Sequence, residues 1–454
     1  MVLFKDWMVR GVSACILVVS LYSPALYSQV PNPQAPSINP FPNYANNGVV
    51  NQSNNRNQIP VTPSSFNPDL NRQQQQNRNI MLEVEQNQKL QETAMKEART
   101  DIEELRGAVR YTLQTYSKFE GTQFYYEAFK KIILLDTTFS LKENNFLVEN
   151  AYFGNTLDKA EFDKIITQSG DFIHAKMKEQ GYDQNSNAAK NFMLFQFFSE
   201  TLQLKSTNQK HLPFKYDFDD YRGIKNYAKM FVSKLLATKT GQCHSMPLLY
   251  LILADEIKAE AYLALSPNHS YIRFPDDKGK WYNIELTNGM LSTDSYISQS
   301  GYIKSEALQN KIYMENLTKK EMLSGLLTDL ADGYIHKFGY DEFVKTVIDK
   351  ALELSPNSVR ANMIKANLDS ARMDFVLRQI GNRPLEKYPQ AIDMIEKVKS
   401  QYSFIDQLGY EDMPEEAYQE WLQSMNKENQ KQKNEELTKQ LKKALSNKKS
   451  TIKG

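Results

Sequence analysis

Three side chains in one short stretch of this 454-residue chain could carry covalent chemistry: Cys243, His269 and Glu285. A thiolate is a nucleophile, an imidazole takes up and returns its proton, and a carboxylate orients the ring and stabilises its charged form. All three lie within TGQCHSMPLLYLILADEIKAEAYLALSPNHSYIRFPDDKGKWYNIELTN, residues 240–288. The apolar run from Met246 to Ala254 reads as a buried helix that begins at or just after Cys243, behind a turn at Gly241 and Gln242. Pro247 falls in the first turn of that helix, where the NH it lacks would have had no intrahelical partner. A thiol there feels the positive end of the helix macrodipole, which favours the thiolate.

The elements that must bring the other two groups to the thiol are strands. Glu260 to Leu265 is apolar and strand-like, and a Ser-Pro-Asn turn then delivers His269. From His269 to Phe274 the pattern alternates, with His269, Tyr271 and Arg273 on one face. A polar turn, Pro275 to Gly279, leads to a second alternating run in which Trp281, Asn283 and Glu285 lie together, so the two runs read as a hairpin. Pairing Phe274 with Lys280 sets His269 directly opposite Glu285, with Cβ atoms about 5 Å apart. The NH of Cys243 and the side chain of Gln242 are candidates to stabilise an oxyanion. Tyr271 and Trp281 are candidates to line the cleft, or to seal it as core.

These residues resemble the core of the transglutaminase-like cysteine protein superfamily, a papain-related fold. There a Gly-x-Cys opens a helix, a His with an aromatic two places later starts a strand, and a Trp with an acid four places later starts the next. Here the motifs are Gly241-Gln242-Cys243, His269 with Tyr271, and Trp281 with Glu285. The family's usual acid is Asp in an Asp-Pro-Thr context, whereas this chain has Glu285-Leu286-Thr287. The Cys helix and the Pro-Asn-His turn look most like the bacterial branch whose core is followed by tetratricopeptide-like helices. The resemblance implies a helix-rich α+β fold: a transglutaminase-like core with a small antiparallel sheet, flanked by helices, a coiled coil and a tetratricopeptide-like helical pair. It also implies a Cys/His/Glu triad passing through a thioester to water (a peptidase or amidase) or to an amine (a transferase). The alternative is a catalytically idle scaffold that joins protein partners in a bacterial envelope assembly. A secreted effector would share the chemistry and differ in destination.

Around this core the chain divides by composition. Residues 1–28 read as a signal peptide, with Lys5 and Arg10 before an apolar stretch and a small residue at the cleavage site, so the protein is expected to be exported, periplasmic or secreted. The apolar stretch is short for a membrane span, which leaves a permanent anchor as the minor outcome and no integral span after cleavage. Val12 to Cys15 only superficially resembles a lipobox, because its apolar run follows the cysteine. Removal of the signal leaves Cys243 as the one cysteine, in a compartment that permits disulfides. Residues 29–79, with eight prolines between Pro31 and Pro68, read as a disordered Pro/Asn/Gln-rich tether.

Residues 80–118 carry a heptad seam from Met81 to Val109, which would make either a homo-oligomeric coiled coil or a long helix packed on its own domain. Residues 119–215 read as a helical subdomain with a capping box at Ser140 and Glu143. Residues 216–305 hold the core, where Ile224, Ala228, Phe231 and Leu235 mark a helix beneath the cysteine turn. Residues 306–425 read as helical, with one tetratricopeptide-like unit around Gly339 to Asn357 that must stack on its neighbours. They end in a short helix bearing Tyr418, Trp421, Leu422 and Met425, placed to dock on the body or to capture a partner. The Lys-rich run 426–454 reads as a solvated, frayed helix with a weak stripe of Leu437, Leu441, Ala444 and Leu445. The net charge of +1 gives no reason to expect nucleic acid as a partner, and protein or peptide is the expected substrate or partner. The five histidines are not at metal-ligand spacing, so neither metal nor cofactor is expected.

Overall fold

The computed structural model describes residues 85–96, 109–134, 139–218, 220–298, 302–424, 435–442 and 445. The expected signal peptide, the tether and residues 97–108 of the heptad seam lie outside these residues, and 85–96 is helical. The fold is helix-rich α+β. Helices α1 (Thr122–Leu134), α2 (Leu141–Tyr152), α3 (Lys159–Gln180), α4 (Asn187–Ser199), α5 (Val232–Thr238) and α6 (Ser245–Glu256) precede a four-stranded sheet. After it come α7 (Lys319–Phe338), α8 (Glu342–Leu354), α9 (Val359–Ile380), α10 (Pro389–Gln407) and α11 (Glu415–Ser424), besides short helices at Asp294–Ser298 and Ser305–Gln309.

The helix that follows the cysteine is the centre of the core. Every residue of α6 from Ser245 to Ala254 is buried, and a helix that is apolar on all sides can be stable in water only when other elements enclose it. Helices α3, α4 and α5 and the sheet do so. Its one bulky polar side chain, Tyr250, is fully buried and donates its hydroxyl to Asn191, which satisfies the group that burial would otherwise strand.

The sheet is antiparallel, β1 (Tyr262–Ser266), β2 (His269–Pro275), β3 (Trp281–Glu285) and β4 (Met290–Ser292), in that order. Between β1 and β2, Pro267 fixes one turn dihedral and Asn268 takes the left-handed conformation at φ 54°, which asparagine tolerates better than most residues. Between β2 and β3 the register departs from the expected one: Phe274 faces Tyr282 and Pro275 faces Trp281. The loop is tighter than Pro275 to Gly279, because Asp276 NH bonds Lys280 C=O at 2.8 Å and Gly279 adopts φ 81°. A left-handed glycine closing a three-residue loop is a favoured hairpin geometry. The shift is of two residues, so the faces of the strands are preserved.

Caps hold the surrounding helices. Ser140 accepts from Glu143 NH at 3.4 Å, but the Glu143 carboxylate pairs with Lys159 at 2.8 Å, so the expected reciprocal box is only half formed there; a complete one stands at Thr318 and Glu321. The helix expected under the cysteine turn starts later than its pattern suggested. Ile224 is exposed, Tyr227–Met230 is a 3₁₀ turn, and α5 begins at Val232. The buried carboxyl of Glu149 accepts from the NH groups of Val232 and Ser233 at 2.6 and 2.8 Å, which satisfies two of the donors that the first turn of α5 leaves unpaired.

Downstream, α7 to α10 pack each on the next, and α7 also lies on α1 and α2. The run 435–442 is helical, and its Leu441 is only 1% exposed. Among the described residues of the stripe, Leu437, Leu441 and Leu445 therefore cover core surface, with Lys442 Nζ 5.6 Å over the Phe192 ring. Among the described residues no helix is long and apolar enough to cross a membrane.

Leu249 is fully buried in α6. Leu249→Ala should destabilise the protein by about 2–5 kcal/mol, measured as a lowered midpoint in chemical denaturation. A loss under about 1 kcal/mol would mean that the helix is not central to the core.

Candidate functional site

Three separate elements bring the chemical groups together. Thr240–Gly241 pairs in parallel with Lys215–Tyr216, which fixes the approach to Cys243 and brings Tyr216 beside it. Gly241 has to be glycine for this approach, since a Cβ would lie 2.8 Å from both Leu235 Cδ1 and Ser245 Oγ. Cys243 stands two residues before α6, whose first turn is set by Met246 NH bonding Gln242 C=O at 3.0 Å. The hydroxyl of Ser270 on β2 donates to the Cys243 carbonyl, tying the thiol turn to the strand that carries His269. The Cys243 thiol donates to the carbonyl oxygen of Asn268 at 3.9 Å, and the His269 imidazole lies near enough to act on it electrostatically.

His269 and Glu285 form a buried pair. Nε2 of the imidazole is 2.6 Å from the carboxylate, and the two side chains are 0% and 1% exposed. They meet diagonally across β2 and β3 and not directly opposite, because the observed pairing of Ile272 with Ile284 carries Glu285 two residues short of the position facing His269. Diagonal Cβ atoms stand about 7–8 Å apart, and the extra methylene of Glu over Asp spans part of that gap. The second carboxylate oxygen accepts from Thr287 NH at 3.0 Å, so both oxygens are engaged. With Nε2 held by the carboxylate, Nδ1 bonds the hydroxyl of Tyr418 at 3.3 Å.

Gln242 is fully buried. Its NH bonds Ser245 Oγ and its Oε1 accepts from the same hydroxyl, both at 3.1 Å, while Nε2 has no partner. A buried amide donor without an acceptor is costly and uncommon.

No family model, curated protein or solved structure matches this chain.

The electrostatics follow from the geometry. Burial by itself raises the Cys243 pKa, but the hydrogen bond and charge of His269, the hydroxyl of Tyr418 and the charge of His244 outweigh it and leave the thiol below its ordinary value. Burial alone would lower the His269 pKa, yet the Glu285 charge and the bonds to Cys243 and Glu285 push it up to about 10. Both shifts run toward the charged forms, a thiolate beside an imidazolium.

Of the two cleft candidates, Trp281 stands away from this site and Tyr271 takes the core position. Tyr271 is fully buried with an unpartnered hydroxyl. Trp281 pairs with Pro275, six residues along β2 from His269, which is about 20 Å at strand rise; it is 41% exposed and lies against Tyr262 and Arg273. Groups that sequence reasoning did not assign to the site take their place. Tyr216 OH and Tyr418 OH are 3.2 Å apart, and Tyr418 OH is 3.3 Å from His269 Nδ1. Trp421 meets the imidazole edge to face at 5.0 Å. The shared face of Tyr418 and Trp421 was visible as a docking stripe, but nothing in its spacing says where it docks. His244 contacts the buried Asp329 of α7 at 3.2 Å, a pairing with no local signal at all.

The imidazole contribution to stability is complete below the unfolded value of about 6.5 and is lost as pH rises through about 10. The thiol contribution has the opposite sign, complete above the ordinary thiol pKa and lost as pH falls through the depressed one. Alkylation of Cys243 by iodoacetamide should therefore show a midpoint below that of an ordinary thiol, and His269→Ala should move it upward. A wild-type midpoint at or above that of the denatured protein would contradict the ion pair.

Proposed function

We propose that this protein is a cysteine-dependent amide hydrolase with a transglutaminase-like, papain-related core, acting on peptide or protein amides in an exported, periplasmic or secreted setting. One observation carries the reading: Cys243, His269 and Glu285 converge from a helix start and two strands, beside a buried amide donor without a partner. The order of the motifs along the chain supports the family resemblance, and the signal-like N-terminus supports export.

In this mechanism the Cys243 thiolate attacks the amide carbonyl carbon, forming the C–S bond while the carbonyl electrons move onto oxygen. Gln242 Nε2 donates to that oxyanion. The His269 imidazolium gives its Nδ1 proton to the departing nitrogen as the C–N bond breaks, leaving a thioester and a free amine. Glu285 keeps the ring oriented and stabilises its charged form. Water, deprotonated by the now neutral imidazole, attacks the thioester; the carboxylic acid leaves and the thiolate–imidazolium pair is restored. An amine in place of water would make the same site a transferase.

A second reading, an idle scaffold in an envelope assembly, is favoured by the cover that α11 places over the imidazole. Release of new amino groups from a denatured protein substrate separates the two. Wild type should hydrolyse it, Cys243→Ala should not, and Gln242→Ala should fall by about 10²–10³ in turnover. Equal rates for wild type and Cys243→Ala, at whatever level, would overturn the hydrolase.

A further inference from the structure

The atoms that a substrate amide must reach are already engaged by the far end of the chain. Tyr418 of α11 is fully buried, and its hydroxyl bonds His269 Nδ1 and Tyr216 OH. A carbonyl carbon under attack has to sit about 3–3.5 Å from the sulfur, with its leaving nitrogen beside Nδ1. At 3.3 Å from Nδ1, the phenol oxygen stands in that place. Trp421 covers the rest of the imidazole and stacks on Tyr296 at 5.7 Å, while Tyr296 OH donates to the Trp421 carbonyl at 3.2 Å. Ahead of the helix, Met413 is buried and its carbonyl accepts from Asn268 Nδ2 at 2.9 Å. The turn that delivers His269 thus also holds the covering segment.

The cover is a single short helix joined to the core by a few aromatic side chains. A helix of 10 residues is too short to persist alone, since isolated helices under about 12–15 residues are marginal. What holds it is the aromatic set: Tyr418 on Tyr221 at 5.2 Å, and Trp421 on Tyr296 and His269. Its other face, Glu416, Gln419 and Glu420, is exposed. The groove it fills is walled by Tyr216, Tyr221 and Tyr296, which favours aromatic side chains over charged ones.

We propose that residues 413–421 are an internal occupant of the substrate cleft, which keeps the site closed in the resting protein, and that the cleft takes peptides presenting an aromatic side chain where Tyr418 or Trp421 now sits. This rests on the hydrolase reading, and its test can fail independently of that reading. In the full chain, the Tyr418→Ala/Trp421→Ala variant should label at Cys243 with a bulky maleimide at least about tenfold faster than wild type, since a minor open state is typically 0.1–10% populated. A synthetic peptide of residues 411–424 added in trans should slow labelling of the variant again, and the same peptide with both aromatics replaced by alanine should not. Unchanged labelling, or equal protection by both peptides, overturns the proposal. Faster labelling with restored protection but no amide hydrolysis would keep the occupant and remove the hydrolase. Hydrogen exchange of the wild type decides the matter should the variant unfold. Peptides covering 413–424 should exchange well before those of α6, and equal protection of the two would show the segment to be core.

Discussion

The ion pair between His269 and Glu285 is the constraint to which the surrounding structure answers. Two charges with side chains 0% and 1% exposed lose their hydration, and each loss costs several kcal/mol even after relaxation. Contact at 2.6 Å offsets part of this, and the remaining hydrogen-bonding capacity is met by Thr287 NH and by Tyr418 OH. Taking away either partner would leave an uncompensated buried charge, a change worth about 3–5 kcal/mol. The hairpin turns, the sheet register and the cover from α11 all bear on keeping that pair dry and aligned.

The thiol is held to the same standard by different means. Gly241 permits the close approach of the cysteine turn to α5, Ser270 fastens the Cys243 carbonyl to β2, and the buried α6 gives the turn a rigid base. On the other side His244 reaches Asp329, which also takes Arg360 of α9 at 2.8 Å. Burial would raise the Asp329 pKa, but those two positive partners hold it down to about 2. The downstream helices are thereby joined to the residue next to Cys243, so the helical array braces this turn as well as extending the body.

Much of this was legible one element at a time. The buried helix after Cys243, the Pro-Asn turn and the two alternating strands follow from patterns whose physical cause is local: apolar periodicity, a fixed proline dihedral, an asparagine that tolerates φ 54°. The register of β2 on β3 was not, because it depends on how tightly Asp276 to Lys280 closes. Yet the faces came out right, since a slip of two residues leaves each side chain on its own side of the sheet. Trp281 misled for a related reason: it shares a face with Glu285 but stands at the far end of the strand from His269. Within the Lys-rich run the described residues 435–442 and 445 differ from a solvated helix because Leu437, Leu441 and Leu445 of the weak stripe pack on the core, Leu441 at 1% exposure.

What the order of residues settled was chemical inventory and local geometry: a thiol ahead of a buried helix, an imidazole at a strand start, an acid on the facing strand, and an aromatic face on a late helix. What it left open was which of these meet. Residues 243, 269 and 285 lie close in sequence and share one hairpin and one helix, so their meeting could be anticipated from periods of 2.0 and 3.6 residues. Tyr418 and Asp329 reach the same site from 175 and 86 residues beyond Cys243 (418 − 243 and 329 − 243). No local propensity encodes a contact over that separation; it arises when burial of apolar surface closes the long loops between them.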